Sequence, residues 1–165
     1  MSKRNEDQVN YNVFALIYTS FVNKVIRDRA DRSKERLFAI GLRIGERMAD
    51  DFFLVSKPRK PMSLVDVSRD ISESFFPHYF SLRPTCNGCI IGLGKFLVLQ
   101  YTKKEEECLE MICGILQSVY SHVSRDSIKF EAMEHNGEHC IVVRKKTDLA
   151  GPSVVGLREE ASEES

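Results

Sequence analysis

Apolar residues recur at helical spacing in four stretches of the chain. The first stretch, Tyr11–Ile26, carries apolar residues over more than one stripe of a helix, which predicts neighbours on two sides of it. A charged break follows, in which Asp31 or Ser33 can cap a second helix that runs to about Phe53. The apolar face of this second helix consists of Leu37, Ile40, Ile44, Met48 and Phe52.

Two more helices are predicted downstream of a proline-rich loop at 57–61. Ser63 can cap the third helix, and Pro77 should end or kink it. The apolar positions of the third helix step by three and four, at Leu64, Val67, Ile71 and Phe75. The fourth helix, from about Lys104 to Val123, has one broad apolar stripe, and three glutamates in its first turn favour the positive end of the helix dipole.

Two β-hairpins complete the pattern. In the first, the β-prone runs Cys89–Leu93 and Phe96–Tyr101 are separated by a glycine-bounded turn at 92–94. In the second, two alternating runs flank Asn136-Gly137, the best short hairpin turn in the chain. One face of the second hairpin carries Ile128, Phe130 and Ala132. The residues that face them on the other strand are either Cys140 and Val142 or Ile141 and Val143.

The order of elements is three helices, a hairpin, a helix and a hairpin. No βαβ repeat occurs, so the pattern predicts an α+β fold with one antiparallel sheet covered by helices. The length suits a single domain, expected over residues 11–150. Residues 1–10 are expected to be flexible, and the small, acidic tail 151–165 is expected to be disordered.

Composition and charge exclude several classes of protein. Lys plus Arg and Asp plus Glu both total 24, so no net field draws the chain to nucleic acid. No apolar run approaches the roughly 20 residues of a membrane-spanning helix, and the polar start Ser2–Gln8 indicates no signal peptide. The five cysteines are an odd number in a chain that needs no disulfide, which favours reduced thiols in a cytosolic protein.

Cys86 and Cys89 have the spacing of a metal knuckle. Structural zinc requires four ligands, and no second cysteine pair lies elsewhere. His135 and His139 flank a two-residue turn, so we expect both to face solvent near the hairpin tip. The sequence therefore predicts no metal site, and a thioredoxin-like pair is weaker still because Cys86 does not open a helix.

Other candidate chemistry is sparse. Gly92 and Gly94 lack the third glycine and the following helix of a phosphate-binding loop. Glu46, Asp50 and Asp51 form an acidic patch at a helix end; either a basic partner or, more commonly, solvation accounts for such a patch. No arrangement of catalytic residues stands out, so no enzyme is predicted.

Gly41 and Gly45 are anomalous inside the second helix. Each costs roughly 1 kcal/mol against alanine there. Since they lie four residues apart, they expose backbone on one face, where a crossing helix can approach closely. We expect that helix to be the first helix of the same chain; direct contact with another chain is the compatible alternative.

Three segments resemble a known family. Asn12–Val22 and Ile40–Phe52 are similar to the first two helices of the Bet-three type of small subunit in TRAPP, the transport protein particle. Met111–Leu116 resembles the fourth-helix motif of the same family, in which a Cys-Gly pair lies among aliphatic residues. The family pattern is matched at Gly41, Ile44, Gly45, Arg47, Asp50, Asp51 and Phe52. The resemblance covers about 11–145.

The resemblance implies a twisted antiparallel four-stranded sheet packed against helices. It further implies homodimers or heterodimers with related small subunits, built through the first two helices, in a rod-like tether. Such a tether is cytoplasmic, lies peripherally at Golgi and ER-derived membranes, and acts as a nucleotide-exchange factor for a Rab-type GTPase. The subunit itself would be a scaffold without covalent chemistry. The expected interface comprises Phe14, Ile17, Tyr18, Phe21, Leu37, Gly41, Ile44, Gly45 and Met48.

The chain departs from the family at its lipid site. Bet-three subunits carry a buried acylated cysteine just before the third helix, where this chain has Met62 and no cysteine occurs between Met1 and Thr85. Acylation at that site is therefore not expected, and no other cofactor is predicted. A hydrophobic channel, if kept, would involve Met62, Leu64, Val67, Ile71, Phe75, Ile112 and Ile115. The tail 151–165 occupies the position from which one copy approaches the GTPase in the family.

Two alternatives remain open. One is a small-ligand or metal sensor of the vinyl-reductase type, which has the same general fold. Proteins of this type often carry cysteines for a metal or ligand, so Cys86 and Cys89 are the feature that distinguishes this alternative from a TRAPP subunit. The other, weaker alternative is a thiol-dependent enzyme that would lose activity on Cys86→Ser.

Overall fold

The computed structural model describes residues 2–28, 30–57 and 62–146, with side chains from Tyr11 onward. The elements are α1 (Ser2–Asp28), α2 (Ser33–Ser56), α3 (Leu64–Asp70), α4 (Phe76–Phe80), β1 (Thr85–Asn87), β2 (Ile90–Gly92), α5 (Leu97–Gln100), α6 (Glu105–Tyr120), β3 (Ile128–His135) and β4 (Glu138–Lys145). The first helix thus begins earlier than the predicted Tyr11. The predicted tail 151–165 lies outside the described residues.

The four strands form one antiparallel sheet in the order β1-β2-β4-β3. This confirms the predicted α+β fold. The second hairpin also lies where predicted, because Asn136 and Gly137 adopt φ values of 52° and 77° that a tight two-residue turn requires. Phe130 pairs with Val143, and Ala132 with Ile141, which settles the open question of the facing residues.

The first hairpin lies closer to the N-terminus than predicted. Its turn falls at Gly88-Cys89, where Gly88 has a φ of 61°, so the predicted turn at 92–94 is wrong. The run Phe96–Tyr101 is also not a strand, since it contains the short helix α5. Gly88 supplies the turn signal at this place, because it meets the requirement of a two-residue hairpin turn for a positive φ at the first central position.

The third helix is capped as predicted but does not end at Pro77. The Ser63 hydroxyl accepts a hydrogen bond from the Asp66 backbone N–H at 3.2 Å. After α3 the helical path continues through a π turn, Ile71–Phe75, into α4. The wider turn accommodates the proline ring, and Pro77 lies in the first turn of α4, where no backbone donor is needed.

Helix α6 is the centre of the core. Every residue from Met111 to Tyr120 is buried, so this helix is covered all round rather than along the one predicted stripe. Helix α2 covers one side and the sheet covers the other. Gln117 lies in this stretch, and its amide Nε2 donates to the Ile128 carbonyl oxygen at 2.9 Å, whereas its buried Oε1 has no hydrogen-bond partner among the described residues.

Helices α2 and α6 approach until their backbones touch. A Cβ atom added at Gly114 would lie 3.1 Å from the Gly41 Cα and would clash with the Phe38 carbonyl oxygen. A Cβ atom added at Gly45 would lie 2.5 Å from the Ile115 carbonyl oxygen. The glycines therefore permit close packing as predicted, but against α6 and not against the first helix.

The same contact determines which face of α2 is buried. Its buried residues are Ser33, Leu37, Gly41, Gly45, Ala49 and Phe52. Ile40, Ile44 and Met48, predicted on the apolar face, are only half-buried at its rim, because the smallest residues occupy the line of closest approach. At the start of the helix neither predicted cap forms: Arg32 takes the N-cap position without a side-chain hydrogen bond.

We expect Gly114→Ala to destabilise the chain by about 2–3 kcal/mol, because backbone atoms on both sides of the new methyl group cannot move aside independently. The free energy of unfolding from urea titration measures this loss. Gly94→Ala is the control. Gly94 lies in open space at a φ of 52°, so the free energy of unfolding should fall by only roughly 1–2 kcal/mol, which is the cost of a left-handed backbone conformation for a residue with a side chain. A Gly114→Ala variant as stable as the parent would contradict the α2–α6 contact.

Candidate assembly surface

Helix α1 is fixed to the rest of the chain by one face. Ala15, Val22 and Val25 are buried on this face. The Tyr18 hydroxyl donates a hydrogen bond to the Cys108 carbonyl oxygen of α6 at 2.7 Å. Burial raises the pKa of the Tyr18 phenol well above its ordinary value, so the phenol stays neutral and keeps its donor hydrogen. Helix α1 therefore has a fixed orientation on the core.

The opposite face of α1 is apolar and exposed. The exposed fractions are 49% for Val13, 48% for Leu16, 65% for Ile17 and 42% for Phe21. These positions are three or four residues apart, so their side chains lie side by side along the helix. Exposed apolar patches of this kind commonly mark sites of protein association. We call these four residues, together with Phe14, the α1 face.

Phe14 joins the α1 face to the body of the chain. Its ring is exposed on one side, and on the other it meets the Phe80 ring edge-on, with the ring centroids 5.8 Å apart. The α1 face thus continues into the aromatic core without a polar break at Phe14.

The predicted interface residues divide into three groups. Phe14, Ile17 and Phe21 lie on the exposed α1 face, and Ile44 and Met48 are half-buried on α2. The other four are buried within the chain and hence are not available to a partner: Tyr18, Leu37, Gly41 and Gly45. They were misplaced because helical periodicity identifies an apolar face without saying which neighbour covers it.

Sequence reasoning missed two members of the α1 face. Val13 and Leu16 were part of the apolar pattern but not of the predicted interface, although the excess of apolar residues in the first helix was the available signal. Two further exposed apolar positions near the end of α2 are Leu54, with 74% of its surface accessible, and Val55, with 67%; neither belongs to the α1 face.

The predicted channel residues lie in the core. Those that are buried are Met62, Val67, Ile71, Phe75, Ile112 and Ile115, whereas Leu64 is half-buried. The Phe75 ring packs between aromatic neighbours, with centroids 5.3 Å from Phe52 and 5.0 Å from Tyr79. Aromatic side chains therefore fill the space around Phe75.

Met62 is held in place by backbone hydrogen bonds. Its N–H donates to the Val123 carbonyl oxygen at 2.8 Å, and its carbonyl oxygen accepts from the Arg125 N–H at 2.7 Å. A thioether has no displaceable hydrogen and cannot form a thioester. The residue at this position therefore does not fit a covalently attached acyl chain.

The cysteines do not assemble a metal centre. All five thiols are free, with Cys86 exposed, Cys89 half-buried and the other three buried. Within residues 2–28, 30–57 and 62–146 no cluster of three or more His, Cys, Asp or Glu side chains could hold a metal ion. His135 is exposed as predicted, but His139 is half-buried and pairs through Nε2 with the Glu105 carboxylate, so the expectation that it faces solvent is wrong.

The acidic patch on α2 is solvated. Glu46, Asp50 and Asp51 are all exposed, and none of them forms a salt bridge with another described residue.

The helices that the structure describes include none long and apolar enough to cross a membrane.

No family model matches the chain, and no curated protein matches it in sequence. A solved structure with the same fold is that of a trafficking protein particle complex subunit 3 from Naegleria fowleri, covalently bound to palmitic acid. The two chains are 18% identical and superpose with a TM-score of 0.70, over 84% of this chain and 96% of the other. This likeness confirms the TRAPP-type fold that the sequence resemblance predicted.

We expect alkylation by iodoacetamide at about pH 8 to distinguish four of the five thiols, because only the thiolate reacts. Burial raises the pKa of Cys108 to about 12 and that of Cys113 further, while the pKa of Cys89 is raised by burial and by the neighbouring Cys86. Cys86 should react first, Cys89 more slowly, and Cys108 and Cys113 at least about a hundredfold more slowly. Mass spectrometry of the labelled peptides measures the rate at each cysteine, and the urea-unfolded protein is the control. Rapid labelling of Cys108 in the native protein would contradict this order.

Proposed function

We propose that this chain is a divergent small subunit of the TRAPP type, and that it functions by assembling with related subunits. The observation that carries the proposal is the α1 face, because large aliphatic and aromatic side chains project from a helix that the core already holds in place. The TRAPP-type fold and the resemblance of Asn12–Val22 and Ile40–Phe52 to the first two family helices support it.

The α1 face suits a partner that presents a similar helix. Its side chains are aliphatic or aromatic, and exposed Ser20 and Lys24 continue the same side of α1 toward its C-terminus. A central apolar strip with a polar rim is the usual composition of a stable protein interface. The half-buried side chains of Ile44 and Met48 on α2 are the next candidates for contact. Such a partner is a second copy of this chain or a related small subunit.

Within a complete complex, the proposed role is that of a scaffold. By resemblance, the assembled complex would tether vesicles between ER and Golgi, lie peripherally at those membranes and promote nucleotide exchange on a Rab-family GTPase. The subunit would contribute shape and contact surface, and no covalent step is assigned to its side chains. No covalent acyl chain is proposed at position 62, since Met62 cannot form a thioester.

We expect Ile17→Asp to weaken assembly by about 2 kcal/mol or more, which is the size of a hot-spot substitution, because a carboxylate would be buried at the centre of the interface. The measurement is the molar mass of the purified protein by light scattering over a range of concentrations, together with mass spectrometry of subunits co-purified from its own cells. Fold and stability should be unchanged, because Ile17 is exposed in the single chain.

Leu54→Asp is the matched control, since it places the same charge at an exposed leucine outside the α1 face and should leave assembly intact. Leu37→Asp is unsuitable for this test: Leu37 is fully buried, so a charge there would unfold the chain. If Ile17→Asp retains the molar mass and the co-purified subunits of the parent, the α1 face is not the assembly surface.

A further inference from the structure

A second surface of the molecule involves none of the residues of the α1 face. A groove of about 530 Å³ follows the outer edge of β3, between this strand and the first turns of α2. Its apolar lining consists of Phe38, Phe130, Ala132 and Met133, and Glu110 of α6 is among its polar residues.

The backbone along this groove has unused hydrogen-bonding groups. β3 is the last strand of the sheet, so β4 pairs with it on one side only. His135 faces Glu138 across a two-residue turn, and the Lys146 N–H donates to the Ser127 carbonyl oxygen at 2.9 Å. Along β3 the backbone groups of the odd-numbered residues, from Ser127 just before the strand to His135, therefore form hydrogen bonds with β4 and the residue after it. The N–H and C=O groups of the even-numbered residues Phe130, Ala132 and Glu134 point outward. No other described strand pairs with them.

Among the described residues, two carboxylates of the groove have no salt bridge: Glu35, which is exposed, and Glu110, which is half-buried. Lys34 forms a salt bridge with Glu106, and Glu131 takes both Lys129 at 2.8 Å and Arg144 at 3.3 Å. Glu110 has no salt-bridge partner among the described residues, and its partial burial raises the pKa of its carboxyl group. The groove thus matches an extended segment that combines aliphatic side chains with one cation.

Such a segment follows β4 in the same chain. The described residues end at Lys146, which lies beside Ser127 at the beginning of β3. After seven intervening residues, the sequence reads Val154-Val-Gly-Leu-Arg158. Seven extended residues span at most about 25 Å, whereas a strand added outside β3 lies two strand spacings, about 10 Å, from β4, so the segment can reach the outer edge of β3.

We propose that the groove along β3 is the docking site of this chain's own segment Val154–Arg158, which pairs with the outward backbone groups of β3 and places Arg158 against Glu110. This inference is independent of the α1 face and does not rest on the proposed function. It covers the exposed edge strand, which is one of the ways in which natural sheets protect an edge.

The test compares amide hydrogen exchange in the full chain and in a chain ending at Lys146. Docking predicts exchange at Phe130, Ala132 and Glu134 about tenfold slower in the full chain, with α6 amides equally protected in both as the control for folding. Equal exchange at β3 in the two chains would overturn the proposal.

Charge reversal tests the same contact without removing the segment. Arg158→Glu should restore fast exchange at the outer edge of β3, and Glu110→Lys combined with Arg158→Glu should slow it again. Glu159→Lys, a neighbouring reversal, is the matched control and should have no effect. If Arg158→Glu changes nothing, or if the pairing is not restored by the second substitution, the proposal is wrong.

Dilution separates the possible occupants. Docking within one chain is independent of concentration, so the protection of β3 should be the same at about 1 μM and at about 100 μM. Protection that disappears on dilution would mean that the segment of a second copy, or another protein's strand, fills the groove, and this too would overturn the proposal.

Discussion

The contact between the backbones of α2 and α6 is the constraint on which the rest of the structure depends. Gly41 and Gly45 on one helix, with Gly114 on the other, bring the helix axes closer than any side chain would allow. This approach leaves α6 no exposed side, because α2 covers one flank and the sheet covers the other. The interior is therefore organised around α6.

The position of α1 follows from this arrangement. With α2 and the sheet already on α6, the first helix packs on α5 and α2 and is tied to α6 by the hydrogen bond between the Tyr18 hydroxyl and the Cys108 carbonyl oxygen. Only one of its faces can be buried within the chain. The apolar residues on its other face consequently remain at the surface, and the assembly proposed above uses an area that the single chain has no means of covering.

Much of this fold could be predicted from the sequence, where local signals agree with tertiary packing. Helix α6 and the second hairpin were located by a strong apolar period and by Asn136-Gly137. The first hairpin was misplaced because two turn signals compete within a few residues, and only the structure shows that Gly88 rather than Gly94 lies in the turn. The spacing of apolar residues does not indicate the π turn before Pro77.

The candidate surface was predicted in part. The sequence identified α1 as carrying more apolar residues than one chain can bury, and Ile17 and Phe21 are indeed exposed. It could not say which helix meets the glycines of α2, because periodicity defines a face and not its neighbour. For this reason Leu37, Gly41 and Gly45 were assigned to a partner, whereas Gly41 and Gly45 contact α6 and Leu37 is buried within the chain.

Native-state hydrogen exchange in increasing denaturant tests the central role of the α2–α6 contact most directly. The account predicts that amides of α2 from Leu37 to Ala49 and amides of α6 from Met111 to Tyr120 exchange only through one common, global opening, with the same free energy and denaturant dependence. A separate opening of α2 at lower free energy, while α6 and the sheet remain protected, would contradict it.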